Sequence, residues 1–372
     1  MKLSFAASCV FFLLVPVYAI EWERVVINAK SDFEAAGVLD VNRDKVLDIM
    51  CGDTWYEGPN WEPRRVCEIA RLKTYRFDFA NVPLDVNGDG WLDIVSCNWF
   101  DKSVVWRQNP GTKSDVDWIV HPVDSPGNME TALAVDVDAD GKTDFLPNVS
   151  QKTCWYRVEK GKIVRYDLSS DQGGHGIGFG DVNGDGRKDI LLTNGWLEAP
   201  EDRRVDKWSW RGEWKLKGFG SIGIFAHDFT GDRRADIVWG NGHGYGLFWL
   251  EQTADPDLSR KWRFHVLDES WSQAHAMRLV DLDADGSLDV VTGKRKYAHN
   301  GSDPGAEDPL IVCFYRFDKK TKSFQREVIH EGGDDGMALA PAIVDIDADG
   351  DLDIVSPGKS GLYLYKQLGK KK

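Results

Sequence analysis

Short strand-like runs alternate with acidic turns along almost the whole chain. Residues 93–95, 189–192 and 289–291 each begin with aspartate and continue with aliphatic or β-branched residues, a composition typical of strands. Breaks such as 109–111, rich in Asn, Pro and Gly, separate them from further runs such as 103–107. No helix-like segment flanks the acidic turns. The pattern predicts an all-β protein.

The acidic turns are copies of one pattern, D-x-[DN]-x-D-G-x-x-D. Successive copies start 45, 51, 45, 47, 53 and 64 residues apart, an interval that suits one four-stranded propeller blade. Seven copies therefore predict a seven-bladed β-propeller. Their first residues are Asp40, Asp85, Asp136, Asp181, Asp228, Asp281 and Asp345.

The last repeat is one strand short. Its third strand is predicted at 361–364, after which the chain ends in lysines. Residues 22–27 share the pattern of the outer-strand run 262–267, so we expect the N-terminal strand to close the last blade and leave no open sheet edge. A chain of 372 residues could hold two or three domains. The repeats favour a single propeller over residues 20–372.

Each copy offers hard oxygen ligands at positions 1, 3, 5 and 9, and five copies have a glycine at position 6 that permits a tight turn. Such ligands select calcium over metals that prefer softer donors. The copies are not EF-hands, because Ser96, Pro147 and Thr292 stand where the EF-hand glutamate would be. We expect structural calcium in five copies, the alternative being acidic turns that bind nothing. The expected ligands are Asp85, Asn87, Asp89, Asp93, Asp136, Asp138, Asp140, Asp144, Asp181, Asn183, Asp185, Asp189, Asp281, Asp283, Asp285, Asp289, Asp345, Asp347, Asp349 and Asp353.

Two copies depart from the pattern. The first, 40–45, has Lys45 in place of the glycine, and the fifth, 228–233, contains Thr230 and the cationic Arg233. We expect no metal in the fifth copy, and the pattern leaves the first one open.

These repeats resemble the FG-GAP or VCBS repeat family over about residues 40–364. The resemblance implies calcium loops within a propeller, as in integrin alpha subunits and many secreted proteins. It does not by itself imply an activity, because propellers serve many functions.

The N-terminus predicts export. Lys2, the apolar run 5–15 and the segment 17–19 form a secretory signal over residues 1–19, so the protein is expected to be secreted or periplasmic. The alternative, a membrane anchor, is disfavoured because the run is shorter than the roughly 20 residues of a span. Five cysteines follow the signal, an odd number that leaves at least one thiol free or intermolecular. They are Cys51, Cys67, Cys97, Cys154 and Cys313.

The net charge of −14 argues against a nucleic-acid partner, since phosphate binding requires a basic face. The 16 Trp, 10 Tyr and 17 Phe supply apolar cores between the blades. The charge and composition do not predict the oligomeric state.

Candidate functional residues gather at the face opposite the acidic turns. Inner strands would start there, and the connection after each second strand would return there. The sixth interval, the longest, contains the polar insertion 293–300, and long loops on a rigid ring often carry function. The candidate catalytic residues are His175, His275, Tyr297, His299, Lys294, Arg295 and Glu130. The candidate substrate-binding residues are Trp55, Trp99, Trp196, His243 and Lys359.

A polar cup with tryptophan platforms favours a carbohydrate as partner. Histidine and tyrosine can exchange protons while Lys294 and Arg295 steady a carboxylate or an enolate, which fits a lyase or dehydratase acting by elimination. Glu130, His175 and His275 are an alternative set, for a second, catalytic metal at this face. In a purely structural reading, the histidines hydrogen-bond across the central channel and Lys294 and Arg295 are solvated.

The arrangement also resembles carbohydrate lyases and aldos-2-ulose dehydratase, some of which are seven-bladed propellers. The likeness lies in the architecture and in segments 174–180 and 275–281. No full catalytic motif matches, and the chain lacks the cupin-type domains that accompany the dehydratase propeller. A non-catalytic adhesion propeller that binds glycan or protein is the competing hypothesis.

Overall fold

The computed structural model describes residues 20–370, apart from 114–115, 170 and 255–259. The predicted signal at 1–19 lies outside the described residues. Within the described residues, thirty strands and one short 3-10 helix, Ala298–Gly301, make up the regular structure. The strands of the first half are β1 (Ile20–Asn28), β2 (Gly37–Leu39), β3 (Asp48–Cys51), β4 (Thr54–Glu57), β5 (Glu62–Arg65), β6 (Arg71–Leu72), β7 (Tyr75–Arg76), β8 (Val82–Leu84), β9 (Asp93–Cys97), β10 (Val104–Gln108), β11 (Ile119–Asp124), β12 (Met129–Val135), β13 (Asp144–Val149), β14 (Thr153–Glu159) and β15 (Lys162–Ser169). Those of the second half are β16 (Ile177–Gly180), β17 (Asp189–Leu192), β18 (Gly195–Glu198), β19 (Ser209–Arg211), β20 (Ile222–His227), β21 (Asp236–Gly240), β22 (Tyr245–Ala254), β23 (Arg260–Ser272), β24 (Ala274–Val280), β25 (Asp289–Lys294), β26 (Ile311–Asp318), β27 (Ser323–Glu331), β28 (Ala342–Val344), β29 (Asp353–Gly358) and β30 (Gly361–Lys370).

The strands pair into antiparallel groups of four. Four separate sheets have the orders β2-β3-β4-β5, β8-β9-β10-β11, β12-β13-β14-β15 and β28-β29-β30-β1. A twelve-stranded sheet contains three further runs of four, β16 to β19, β20 to β23 and β24 to β27, joined by parallel pairing of β16 with β20 and of β20 with β24. The strands β6 and β7 form a small hairpin. The fold is all-β with a propeller arrangement; the count of seven blades stays a prediction, because three runs share one sheet.

The first strands of these groups surround a central axis. The strand β2 contacts both β8 and β28, and Ala35 bridges in parallel to Ala340 near the opposite end of the chain. A cavity of about 470 Å³ lies among the first strands and is lined mainly by apolar residues. Because the first strands of the groups lie side by side around the axis, every group has the same orientation. Equivalent loops therefore lie at the same end of the axis.

The predicted pairing of the N-terminal strand with the end of the chain is confirmed. The strand β1 runs antiparallel to β30, with Arg24 opposite Tyr365 and Val25 opposite Leu364. Arg24 also contacts the carboxylate of Asp335, at the loop before β28. Because β1 supplies the outer strand of that sheet, residues from both ends of the chain share one hydrophobic core.

Buried aspartates at position 9 fasten each acidic turn to its sheet. All seven accept the backbone N–H of the position 2 residue, at 2.8–3.2 Å. In five of them the other carboxylate oxygen accepts an amide near the end of the third strand. Burial raises the pKa of each carboxyl to about 6 or 7. The residues are Asp48, Asp93, Asp144, Asp189, Asp236, Asp289 and Asp353.

The turns share one backbone conformation, including the two copies that depart from the sequence pattern. Position 6 is left-handed throughout, with φ from 83° to 98° at the five glycines. Lys45 and Arg233 adopt the same conformation, with φ of 72° and 69°. A side chain in this region costs roughly 1–2 kcal/mol relative to glycine, so the first and fifth turns keep their shape at an energetic cost.

The five cysteines of the described residues are free and buried. This fits the odd number in the sequence and leaves none of them available at the surface. Within the same part of the chain, no helix has the length and apolar character needed to cross a membrane.

We predict that Lys45→Gly stabilises the protein by about 1 kcal/mol, because relief of the left-handed strain exceeds the added flexibility of the unfolded chain. The measurement is the denaturant midpoint in calcium-free buffer, which excludes any gain from new metal binding. Lys142→Gly is the matched control, since Lys142 lies in the third turn outside the left-handed region. It should lower stability, and equal effects of the two changes would contradict the strain.

Candidate functional site

The candidate site lies at the end of the axis away from the acidic turns. The strand β12 shows the separation, because Glu130 is near its start and Val135 at its end leads directly into the turn at Asp136. Five or six strand residues span roughly 20 Å. The predicted separation of the His/Glu-bearing segments from the acidic turns is therefore present in the structure.

A pocket of about 500 Å³ opens among these segments. One group of lining side chains is aromatic, and Trp99 and Phe219 among them are exposed, Phe219 at 57% of its surface. The other group carries Glu130, Arg295 and three histidines. A pocket with an apolar wall and a few convergent polar groups is typical of a small-molecule site. The aromatic residues are Tyr75, Phe79, Trp99, Phe100 and Phe219, and the histidines are His175, His243 and His299.

Glu130 is the centre of the polar group. Its Oε2 lies 2.7 Å from Nε2 of His175, and its Oε1 lies 3.2 Å from Nε2 of His275. His243 adds a third ring, with its Nε2 2.8 Å from Nε2 of His175. One ligand atom of each of these four residues lies within 4.8 Å of the others. The structure thus brings together the predicted set Glu130, His175 and His275 and adds His243 to it.

Arg295 ties this cluster to the first repeat. Its Nε donates to Oε1 of Glu34 at 2.7 Å, and its Nη1 donates to Oε1 of Glu130 at 2.7 Å. Both glutamates and the arginine are buried, so the three charges are held by one another rather than by water. Burial alone would lower the pKa of Arg295, but Glu34 and Glu130 raise it above its usual value.

Asp303 holds two histidines side by side. Its carboxylate accepts Nδ1–H of His243 at 2.7 Å and of His299 at 2.8 Å, and the two rings stack at 4.2 Å. The segment that carries His299 is strained, because Tyr297, His299 and Asn300 all have left-handed φ values near 50°. Such strain often occurs at functional sites. Here it sets His299 against His243 at the edge of the pocket.

The surroundings set different charge states for the three clustered histidines. Burial lowers the pKa of His243 to about 4 and that of His275 well below its usual value. Burial also disfavours a charge on His175, but the adjacent Glu130 outweighs it, and the pKa of His175 is raised. Two of the rings are therefore neutral at neutral pH.

Most of the predicted mouth residues lie at or near the pocket. Six of them line it: Glu130, His175, His243, Arg295, His299 and Trp99. His275, predicted at the mouth, lies beneath the cluster with no solvent exposure and does not line the pocket. The ammonium of Lys359 lies 3.5 Å above the ring of Tyr75 and 3.9 Å from Glu34, just behind the lining.

The placement of Trp55 and Trp196 at the mouth is corrected. Both are buried in hydrophobic cores, because β4 and β18 include them as strand residues whose side chains point between sheets. Trp99, by contrast, lies in the bend between β9 and β10 and reaches the pocket. The connections before β4 and β18 are residues 52–53 and 193–194, whereas the one before β10 is residues 98–103, and this difference in length decides which tryptophan lies in a loop.

Lys294 and Tyr297 are also placed differently from the prediction. Adjacent strand residues face opposite sides, so Lys294 points away from Arg295, and its ammonium donates to Ser272 and to the carbonyl of Gly305. Burial lowers the pKa of Lys294 to about 8. The side chain of Tyr297 lies outside the pocket lining and is 41% exposed.

Several contributors to the site were not predicted. Tyr75 lies in the two-residue strand β7 of a small hairpin, and Phe219 lies in an irregular connection; neither segment carries a periodic signal in the sequence. Asp303 follows His299 by four residues within the long insertion, and this spacing was the one available clue to their pairing.

The acidic turns fit calcium to different degrees. Three carboxylate oxygens converge in the third, sixth and seventh turns, in the sets Asp136/Asp138/Asp144, Asp281/Asp283/Asp285 and Asp345/Asp347/Asp353. Arginines also enter two of these turns. Arg157 pairs with Asp138 and with Asp140, and Arg316 lies 3.1 Å from Asp283. An ion in the third or sixth turn would compete with these guanidinium groups.

Comparison with known proteins supports the repeat type. Residues 85–146 and 228–292 match the model of an FG-GAP-like repeat. This confirms the FG-GAP-like repeats that the acidic pattern predicted, within the two matched segments. No curated protein matches the chain in sequence.

Solved structures share the fold at low sequence identity. A chain in the crystal structure of BBS1N in complex with ARL6DN, soaked with mercury, is 11% identical with a TM-score of 0.55, over 96% of this chain and 98% of that one. The same complex soaked with lead gives the same values. A structure describing specific recognition of non-reducing terminal N-acetylglucosamine by an Agrocybe aegerita lectin is 14% identical with a TM-score of 0.47, over 94% of this chain and 86% of that one. The two BBS1N complexes show a likeness of fold alone.

We predict that Arg295→Met destabilises the protein by about 3–5 kcal/mol, because it leaves Glu34 and Glu130 buried without their cation. Guanidinium unfolding provides the measurement. The neighbouring change Lys296→Met is the control, since Lys296 pairs with the exposed Asp334 and its loss should cost less than about 1 kcal/mol. Similar losses in both variants would show that the buried network does not depend on Arg295.

Proposed function

We propose that the protein is an exported, calcium-stabilised propeller that binds carbohydrate in this pocket and acts on it as a lyase or dehydratase. One observation carries the proposal: aromatic faces and an acid–base cluster line the same pocket of about 500 Å³. Sugar rings present apolar C–H faces that pack on aromatic rings, while their hydroxyls bond to polar groups. Trp99 and Phe219 offer such faces, and Phe219 packs edge to face beside His175 and His243.

The proposed reaction is an elimination on a uronic acid or an oxidised sugar. A base removes the proton from the carbon α to the carbonyl or carboxylate, and the electron pair forms a C=C bond. The C–O bond at the β carbon breaks, and the leaving oxygen takes a proton from an acid. A cation near the carbonyl stabilises the negative charge that develops there.

The pocket offers candidates for each of these roles. Nδ1–H of His299 is donated to Asp303, which leaves its Nε2 free to accept a proton, and the ring is well exposed. Burial raises the pKa of Tyr75, which keeps its phenol protonated and fit to act as the acid. Arg295 supplies the positive charge at the pocket wall. These roles replace those first assigned to Lys294 and Tyr297, which lie outside the lining.

The competing function is non-catalytic binding of glycan or protein. The mutual pairing of Glu130, His175 and Arg295 favours it, because these groups are already satisfied by one another. The exposed His299 and the pocket-facing Tyr75 favour the catalytic alternative.

The framework proposed for this function has seven blades and about five calcium ions. The three four-strand runs of the large sheet each have the strand order of a separate blade, which makes seven groups with the four separate sheets. The converging aspartates of the third, sixth and seventh turns support calcium there. Outside the cell, calcium would keep such turns filled.

We predict that the protein releases unsaturated products from oxidised sugars or uronate polysaccharides, followed by the ultraviolet absorbance of the new conjugated double bond. Tyr75→Phe and His299→Gln should each reduce kcat by about 10²–10⁴-fold. Tyr297→Phe is the matched control and should leave turnover unchanged, since that phenol lies outside the pocket lining. Retained glycan binding with no product across the substrate panel would refute the lyase and support the non-catalytic alternative.

A further inference from the structure

The inner end of the pocket contains a group of imidazoles that the proposed acid–base roles do not use. His175, His243 and His275 come from three successive four-strand runs, and each directs Nε2 toward Glu130 or toward another ring of the group. All three histidines lie at the face opposite the acidic turns. We call Glu130 and these three residues the histidine cluster.

Hydrogen bonds fix which nitrogen of two rings carries the proton. Nδ1 of His175 lies 2.7 Å from the carbonyl oxygen of Gly220, and Nδ1 of His243 lies 2.7 Å from a carboxylate oxygen of Asp303. Both partners can only accept, so each Nδ1 is the donor. In the neutral rings, Nε2 therefore carries a lone pair directed into the cluster.

In the neutral rings these two lone pairs would face each other, and a protonated His175 has one Nε2–H for which Oε2 of Glu130 and Nε2 of His243 compete. The Nε2 atoms of His175 and His243 are 2.8 Å apart, a distance at which two acceptors repel unless a proton or a cation lies between them. His275 is fully buried, and neither of its ring nitrogens makes a well-formed hydrogen bond; the nearest acceptor to Nε2 is Oε1 of Glu130 at 3.2 Å, which already accepts from Arg295. Buried polar atoms normally have a partner, so Nε2 of His275 is available to a cation in the cluster.

We propose that the histidine cluster binds one divalent first-row transition metal ion through the Nε2 atoms of His175, His243 and His275 and a carboxylate oxygen of Glu130. Three imidazoles and one carboxylate are ligands that suit zinc and its neighbours rather than calcium. Metal–nitrogen bonds of about 2.0–2.1 Å place tetrahedral ligand atoms roughly 3.3 Å apart. The present separations of 2.7–3.2 Å between neighbouring atoms require only a small opening of the cluster.

The residues around His175 and His243 match the outer shell of a metal site. Metal-binding histidines usually donate their second nitrogen to a carboxylate or a backbone carbonyl, as His243 does to Asp303 and His175 does to Gly220. Arg295 holds Oε1 of Glu130, which leaves Oε2 toward His175. Glu130, His175 and His243 all line the pocket, so the ion would face any bound substrate.

The metal site goes beyond the proposed carbohydrate chemistry, because ion binding can be measured without any sugar. Facing the pocket, the ion would act as a Lewis acid on an oxygen of the bound molecule. It would be separate from calcium in the acidic turns, which lie at the other end of the inner strands.

The test is calorimetric titration of the metal-stripped, full-length protein with Zn²⁺ in buffer that contains excess Ca²⁺. We expect one tight equivalent of zinc that calcium does not displace. His243→Ala should weaken it by more than about 100-fold, and Asp303→Asn by about 10–100-fold, because that variant keeps all four ligands but loses the carboxylate that orients one of them. His121→Ala, which removes a histidine of the distant β11 stacked on Trp106, should leave the affinity unchanged.

Circular dichroism and thermal unfolding of each variant show whether it folds. If His243→Ala does not fold, Asp303→Asn and the wild-type titration still decide the question. The proposal is overturned if the wild-type protein binds no zinc that resists excess calcium. It is also overturned if folded His243→Ala or Asp303→Asn binds zinc as tightly as the wild-type protein does. If the protein binds zinc tightly but yields no elimination product, the proposed lyase activity is refuted and the proposed metal site is supported.

Discussion

The buried carboxylate at position 9 of each repeat is the interaction on which the rest of the structure depends. It accepts an amide at the start of the acidic turn and, in five repeats, a second amide near the end of the third strand. A buried acceptor that bonds two different segments fixes their relative positions. Because the same contact recurs around the axis, every turn lies at one end, and the inner strands must begin at the other. The recurring contact therefore positions the strand starts that form the pocket.

The two ends of the axis consequently offer different ligands. Aspartate oxygens converge at one end, while imidazole nitrogens and one glutamate converge at the other. Hard oxygen and borderline nitrogen donors prefer different metals, so the two ends, about one strand length apart, would take different ions. The arginines in the third and sixth turns add a second distinction. Arg157 and Arg316 already neutralise part of the carboxylate charge in the third and sixth turns. In the seventh turn, Lys366 pairs with one carboxylate, that of Asp347. We therefore expect the third and sixth turns to depend less on an ion than the seventh.

Features that repeat were predictable from sequence, and features that depend on a single side-chain direction were not. The repeated aspartates and strand runs predicted the propeller arrangement, and the unpaired end of the last sheet predicted the partner of β1. The spacing of inner-strand starts also brought Glu130, His175 and His275 together correctly. It failed for Trp55 and Trp196, because the short connections before β4 and β18 leave both tryptophans inside strands, whereas the longer connection before β10 leaves Trp99 in a loop. It failed for Lys294, because successive residues of a strand face opposite sides and Lys294 therefore points away from Arg295. Asp303 comes from an irregular segment and Tyr75 from the small hairpin β6–β7 outside the four-strand groups, and in both places long-range packing rather than local pattern sets the position.

The central claim is that this propeller separates two kinds of metal site along its axis. Anomalous diffraction from crystals grown with both calcium and zinc, recorded on each side of the zinc absorption edge, tests it most directly. The account predicts a single strong zinc peak among Glu130, His175, His243 and His275, with the density in the acidic turns showing no change across the edge. Zinc peaks in the acidic turns together with none at the histidine cluster would contradict it.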